Sequence, residues 1–157
     1  MIMAQIETWK PQYTKYFEAL NRGWIVRFFD ENTIGPSEVE LLSNPKKEIL
    51  DKGGHLFFAT EDGIVLGCVA LLKHGETEYE ISKLAVDPSA QGKGVANQLF
   101  DAIFSYAKTN NINKLILETN TKLKAAMGLY NKYGFSEVKD FIPHYTRVNI
   151  KFEKLLN

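Results

Sequence analysis

The sequence predicts a mixed α/β fold in which an antiparallel meander of strands feeds one strand–helix–strand unit. Three observations carry this. The stretch "HLFFATEDGIVLGCVALLKHGETEYEISKLAVDP", from His55 to Pro88, holds three strand-like apolar runs separated by turn residues. The overlapping segment "VDPSAQGKGVANQLFDAIF" then hands a strand over to an amphipathic helix through a pair of glycines. Finally, 157 residues with 45% hydrophobic content suffice for a single domain, residues 1–157, with its own core.

Taken in order, Ala4 to Trp9 sets Ile6 and Thr8 against Gln5 and Glu7 and reads as a first strand. Pro11 suits the first turn of a helix, and Tyr13, Tyr16, Phe17, Leu20, Trp24 and Phe28 recur at helical spacing, with Gly23 as the place where two helices divide. These aromatics read first as core and second as pocket lining. "ENTIGPSE" is a loop, and Pro36 to Ser43 a short helix before Asn44-Pro45. Glu61-Asp62-Gly63 and His74-Gly75-Glu76 are hairpin signals. On the strand that follows, regular alternation puts Glu80, Ser82, Leu84 and Val86 on one face. Gln91 to Thr109 reads as a helix with Val95, Leu99, Ile103 and Tyr106 on one side, and Asn113 to Thr119 as a buried strand. Lys122 to Tyr133 is a second helix stopped by Gly134, and "HYTRVNIKFEKLL" a closing, alternating strand.

Composition removes several function classes. A formal net charge of 0, from 19 basic and 19 acidic residues, argues against nucleic acid as a partner, since phosphate-binding surfaces need a basic excess. The single cysteine, Cys68, allows no intrachain disulfide, and its place in "IVLGCVALL" reads as buried and structural. His55, His74 and His144 are scattered without metal spacing, so no metal is expected. "MIMAQIETWKPQY" has no basic stretch leading into an apolar one, and no apolar run approaches the ~20 residues of a membrane span. The expectation is a cytoplasmic protein with no membrane partner.

The glycine turn is the chemical clue. Helix N-termini present unpaired N–H groups, and glycine lets an anion approach them closely. A Walker loop needs GK followed by Ser or Thr, and Val95 follows Gly94 here; a dinucleotide fingerprint needs a third glycine that is missing. Gln91-Gly92-Lys93-Gly94-Val95-Ala96 instead matches Q/R-x-x-G-x-G/A. Further on, "AAMGLYNKYGF" sets Tyr130 four residues before Gly134-Phe135. In this strand order the pair of motifs resembles the GNAT superfamily of acyl-CoA-dependent N-acyltransferases, over Phe57 to about Phe135.

That resemblance implies a central, mostly antiparallel twisted sheet with a splayed parallel strand pair and flanking helices. It implies acetyl-CoA as cosubstrate, no metal, and transfer of the acetyl group to a primary amine by direct attack on the thioester. Backbone N–H groups from Gln91, Gly92, Lys93, Gly94, Val95 and Ala96 would cradle the coenzyme pyrophosphate. The backbone of Leu84, Ala85 and Val86 would pair with the pantetheine arm. Tyr130 matches the family's general acid, and Glu80 a glutamate used as general base, with Glu78 and Glu118 as fallback bases. Where many relatives carry an asparagine seven residues before the tyrosine, this chain has Leu123, for which Asn120 or Lys122 could substitute. His144, beside Tyr145, is the histidine nearest the expected acceptor side. A non-catalytic acyl-CoA-binding sensor or interaction module is the alternative. The acceptor's identity is not encoded in these motifs, and a homodimer is left open.

Overall fold

The computed structural model describes residues 1–157, and its elements follow the apolar periodicities closely. The strands are β1 (Gln5–Thr8), β2 (His55–Glu61), β3 (Ile64–Lys73), β4 (Glu78–Val86), β5 (Lys114–Thr119), β6 (Ser136–Val138) and β7 (Ile150–Leu155). The helices are α1 (Thr14–Phe28), α2 (Pro36–Ser43), α3 (Val95–Thr109) and α4 (Lys124–Lys132). The strands form one sheet in the order β1-β2-β3-β4-β5-β7-β6. Every neighbouring pair is antiparallel except β4 and β5, which run parallel with α3 as their crossover. At the first hairpin the chain turns through Asp62 and Gly63, both with positive φ, as a two-residue turn of the primed type requires.

The sheet is covered on both faces. On one side Val95, Leu99, Phe100 and Ile103 of α3 pack on Val69, Leu71, Ile81 and Leu115, joined by Leu129 and Tyr130 of α4. On the other, Phe17 of α1 and Leu42 of α2 pack on Phe58, Cys68, Ala70 and Ala85. Cys68 is fully buried there, with the Asn21 amide donating to its sulfur at 3.7 Å.

Several elements depart from the sequence pattern. Gly23 does not divide the first helix: α1 is continuous, and its one unfavourable residue is outweighed by Phe17, Asn21 and Ile25 on the buried face. α3 begins at Val95 rather than Gln91, because Gly92 and Gly94 hold positive φ and leave Gln91 extended. The closing strand is shorter than expected. Residues 139–149 are irregular, because their side chains reach sideways into other elements: Arg147 to Glu38, His144 to Glu118 and Asn149 to Thr121. Sequence periodicity also gave no sign of the three-residue β6. No helix is long and apolar enough to cross a membrane.

Candidate active site

The site originates in β4. Its parallel ladder to β5 runs only from Glu78↔Lys114 to Glu80↔Ile116, and beyond Glu80 the two strands part. Its antiparallel ladder to β3 is interrupted as well. Ala70 pairs with Ser82 but Cys68 pairs with Ala85, so β4 carries one extra residue, and Lys83 takes a positive φ of 58° within that bulge. The bulge overturns the expected alternation. Glu80, Ser82 and Ala85 face the α1 side, whereas Leu84 and Val86 are turned to the α3 side. The gap between β4 and β5 opens into a cleft of about 520 Å³ lined by both faces of the bulged strand, from Glu80 to Val86.

One end of the cleft is the glycine turn. Asp87 Oδ1 accepts from the Ser89 N–H (2.9 Å) and hydroxyl (2.6 Å), which fixes the strand's exit and holds the Asp87 carboxyl below its usual range. Gln91 Nε2 donates to the Val86 carbonyl at 3.1 Å. With Gly92 at φ 74° and Gly94 at 86°, the chain enters α3 without any side-chain cap or acidic residue in its first turn. The backbone N–H groups from Gly92 to Asn97 consequently have no acceptor within the protein, and they sit at the positive end of a 15-residue helix. A Cβ built on Gly92 would meet nothing within 4 Å. Gln91, Gly92, Gly94, Val95 and Ala96 line the cleft; the Lys93 side chain is exposed outside it.

Tyr130 stands at the middle. α4 ends where Gly134 turns left-handed and the Phe135 N–H returns to the Tyr130 carbonyl, so the tyrosine's position is fixed by its own helix stop. Its ring is buried against Phe100, Phe135 and Phe152. Burial pushes its phenol up to about 12, against a smaller opposing pull from a hydrogen bond with Thr119. At neutral pH it is a protonated donor facing the cleft. Leu123 caps α4 without contributing a polar atom; of the two substitutes, Asn120 lines the cleft and Lys122 does not. Asn120 donates to the Arg147 carbonyl at 2.7 Å, and Lys122 to the Phe28 carbonyl at 2.9 Å.

The far end carries the charges. Glu80 Oε1 lies 2.7 Å from His74 Nε2. Glu118, on the neighbouring strand, takes the His144 N–H on Oε1 at 3.0 Å and meets His144 Nδ1 at 2.5 Å on Oε2. Both carboxylates line the cleft. Glu78 does not; it is half-buried and 3.5 Å from Lys114. Behind them lies a group that sequence reasoning missed: Lys83 and Arg147 both donate to Glu38 Oε2. The three are buried, desolvation pulls the Lys83 ammonium below its usual value, and Tyr145 covers both cations with its ring. Trp24, Phe28 and Phe29 complete this end. No group of three or more His, Cys, Asp or Glu side chains is arranged to hold a metal ion.

The sequence profile of the acetyltransferase (GNAT) family matches residues 7–135. The chain is 30% identical over 95 residues to the N-alpha-acetyltransferase RimI of Mycobacterium tuberculosis, a match covering 59% of this chain and 58% of that protein. It is 31% identical over 87 residues to an IAA acetyltransferase of Azospirillum brasilense, covering 55% and 57%. The chain thus spans little more than half the length of these curated relatives. Among solved structures, an acetyltransferase of GNAT family from Staphylococcus aureus Mu50 superposes with a TM-score of 0.88 over 99% of this chain and 100% of that one. At 20% identity that likeness is one of fold.

Proposed function

The chain belongs to the acetyltransferase (GNAT) family, and from that premise we propose that it moves the acetyl group of acetyl-CoA to a primary amine by direct attack on the thioester. The observation that carries this reading is a single cleft that joins an anion-ready helix start, an unpaired strand edge, a protonated buried phenol and a buried carboxylate. The unsatisfied N–H groups from Gly92 to Asn97 suit a pyrophosphate. The edge of β4 at Leu84, Ala85 and Val86, which has no strand partner toward β5, suits the amide-bearing pantetheine arm. A thioester reached by that arm comes under Tyr130.

The chemistry must remove protons from nitrogen and supply one to sulfur. An alkylammonium first yields a proton to Glu80, which frees the lone pair for attack on the thioester carbon. As the C–S bond breaks, Tyr130 gives its proton to the departing thiolate and is reprotonated by the second proton leaving nitrogen. One proton is thus released per amide formed.

Coenzyme A release across a panel of amines tests the reading. The panel should include small alkylamines and peptides with free α-amino groups, the latter because one relative is an N-alpha-acetyltransferase. Turnover with at least one amine is expected. Binding of acetyl-CoA without release on any of them would favour a sensor or interaction module of the same fold.

A further inference from the structure

We propose that His74 and His144 form the proton exit of the acceptor pocket, each relaying through the buried carboxylate it touches. The proposal rests on the acetyl-transfer reading and adds to it where the released proton goes.

The two pairs are built alike from unrelated pieces. Glu80 occupies the last rung of the β4–β5 ladder, opposite Ile116, and Glu118 lies two residues further along β5 on the same face. Each carboxylate is buried, with side-chain exposures of 10% and 5%. Each is met by a histidine from a loop: His74 from the turn between β3 and β4, His144 from the irregular segment before β7. Those histidines are far more open, at 34% and 60%. Their rings lie 6.5 Å apart, and the second nitrogen of each (Nδ1 of His74, Nε2 of His144) has no partner in the protein. Two paths thus lead from a buried oxygen, through a ring, to an unengaged nitrogen on an accessible side chain.

The choice of histidine has a chemical reason. A lysine or arginine would also neutralise a buried carboxylate, but it would hold the pair charged and block proton passage near neutral pH. Imidazole alone can pair and still exchange its proton there. The cations in the neighbourhood, Lys83 and Arg147, are engaged by Glu38, and the adjoining phenols of Tyr130 and Tyr145 are pushed up to about 12. The balance is one proton throughout. It passes from ammonium nitrogen to carboxylate oxygen, from there to imidazole nitrogen, and from the opposite ring nitrogen to water, with no change of oxidation state. The histidines are relay groups acting through the carboxylates and do not touch the acceptor.

His74→Gln and His144→Asn each keep a nitrogen donor in place while removing the capacity to relay. Acetyl-CoA affinity serves as the control for folding. The double variant should lose about 10- to 100-fold in turnover at neutral pH. The loss should shrink at high pH, where the amine arrives already neutral, and added imidazole should restore the rate of His144→Ala saturably. A double variant that turns over like the parent, or one equally impaired at every pH with no response to imidazole in His144→Ala, would overturn the relay alone. A parent that binds acetyl-CoA and acetylates no amine would overturn the acetyl-transfer reading, and the relay with it.

Discussion

Replacing Tyr130 by Phe removes one oxygen and leaves the ring packed among Phe100, Phe135 and Phe152. Turnover should fall ~10²- to 10⁴-fold while acetyl-CoA affinity is kept, the pattern of a group that acts only in the reaction step. The pH dependence has a definite sign. The folded phenol holds its proton up to about 12, above the ordinary 10 of an unfolded tyrosine. Its acid form therefore persists through any neutral or mildly alkaline assay. Its contribution to stability is complete below pH 10 and is lost as pH rises from 10 toward 12, because the unfolded chain gives up that proton first. Urea titrations across this window should show a shallower alkaline loss for Tyr130→Phe than for the parent. The place of Tyr130, at the end of its helix and on the cleft, was legible in the sequence because its cue is local, a tyrosine four residues before a helix-stopping glycine. The pairings of the histidines were not: His144 stood out for its place beside Tyr145, but it meets Glu118 across 26 residues, and spacing gives no sign of that meeting.

At the scale of elements, the glycine turn and the bulged strand contrast. The turn was readable because φ requirements are written in glycine itself. Gly92→Asn should test it: the φ of 74° strains any side chain, but asparagine tolerates the left-handed region better than most, and a Cβ there meets open space. The new amide would stand in front of the unpaired N–H groups. Acetyl-CoA affinity is expected to drop about tenfold or more, ~1.4 kcal/mol, with the urea midpoint lowered only by the backbone strain and the protein still folded. An affinity equal to the parent's, measured by calorimetry, would move the pyrophosphate elsewhere. Gly94 is a poorer test position, since a Cβ there would press on the Met1 side chain at 3.3 Å. β4 was misread beyond Ser82 because a bulge needs no glycine or proline to announce it. Lys83 accepts a positive φ where its side chain is tied to Glu38, and every later residue on the strand changes face.

Across the whole molecule, Glu38 ties together pieces that the chain separates widely. It is 45 residues from Lys83 and 109 from Arg147, and it holds α2, the bulge and the loop before β7 in one buried cluster. A helix pattern shows Glu38 only as one more charged position, which explains why the cluster escaped sequence reading. Glu38→Gln would leave Lys83 and Arg147 facing each other without a counter-charge and should cost about 3–5 kcal/mol. Lys83→Met should cost less, because Arg147 and Glu38 would remain a neutral pair. Urea unfolding of the two variants checks the order; equal losses would mean that the charges do not govern this junction. The sheet and its helices, by contrast, were legible nearly throughout, since apolar periodicity specifies which face is buried without reference to distant partners.

The burial of Cys68 has a practical corollary. It is the chain's only thiol, wholly enclosed, and its acidity is suppressed, with burial pushing it up to about 12. The product of the proposed reaction is itself a thiol. A chromogenic disulfide added during turnover would therefore report liberated coenzyme without background from the native protein. The same reagent, applied with no substrate present, would count one sulfhydryl per chain as α1 lifts from the sheet, so a single colorimetric reading would serve both as product counter and as gauge of molecular opening.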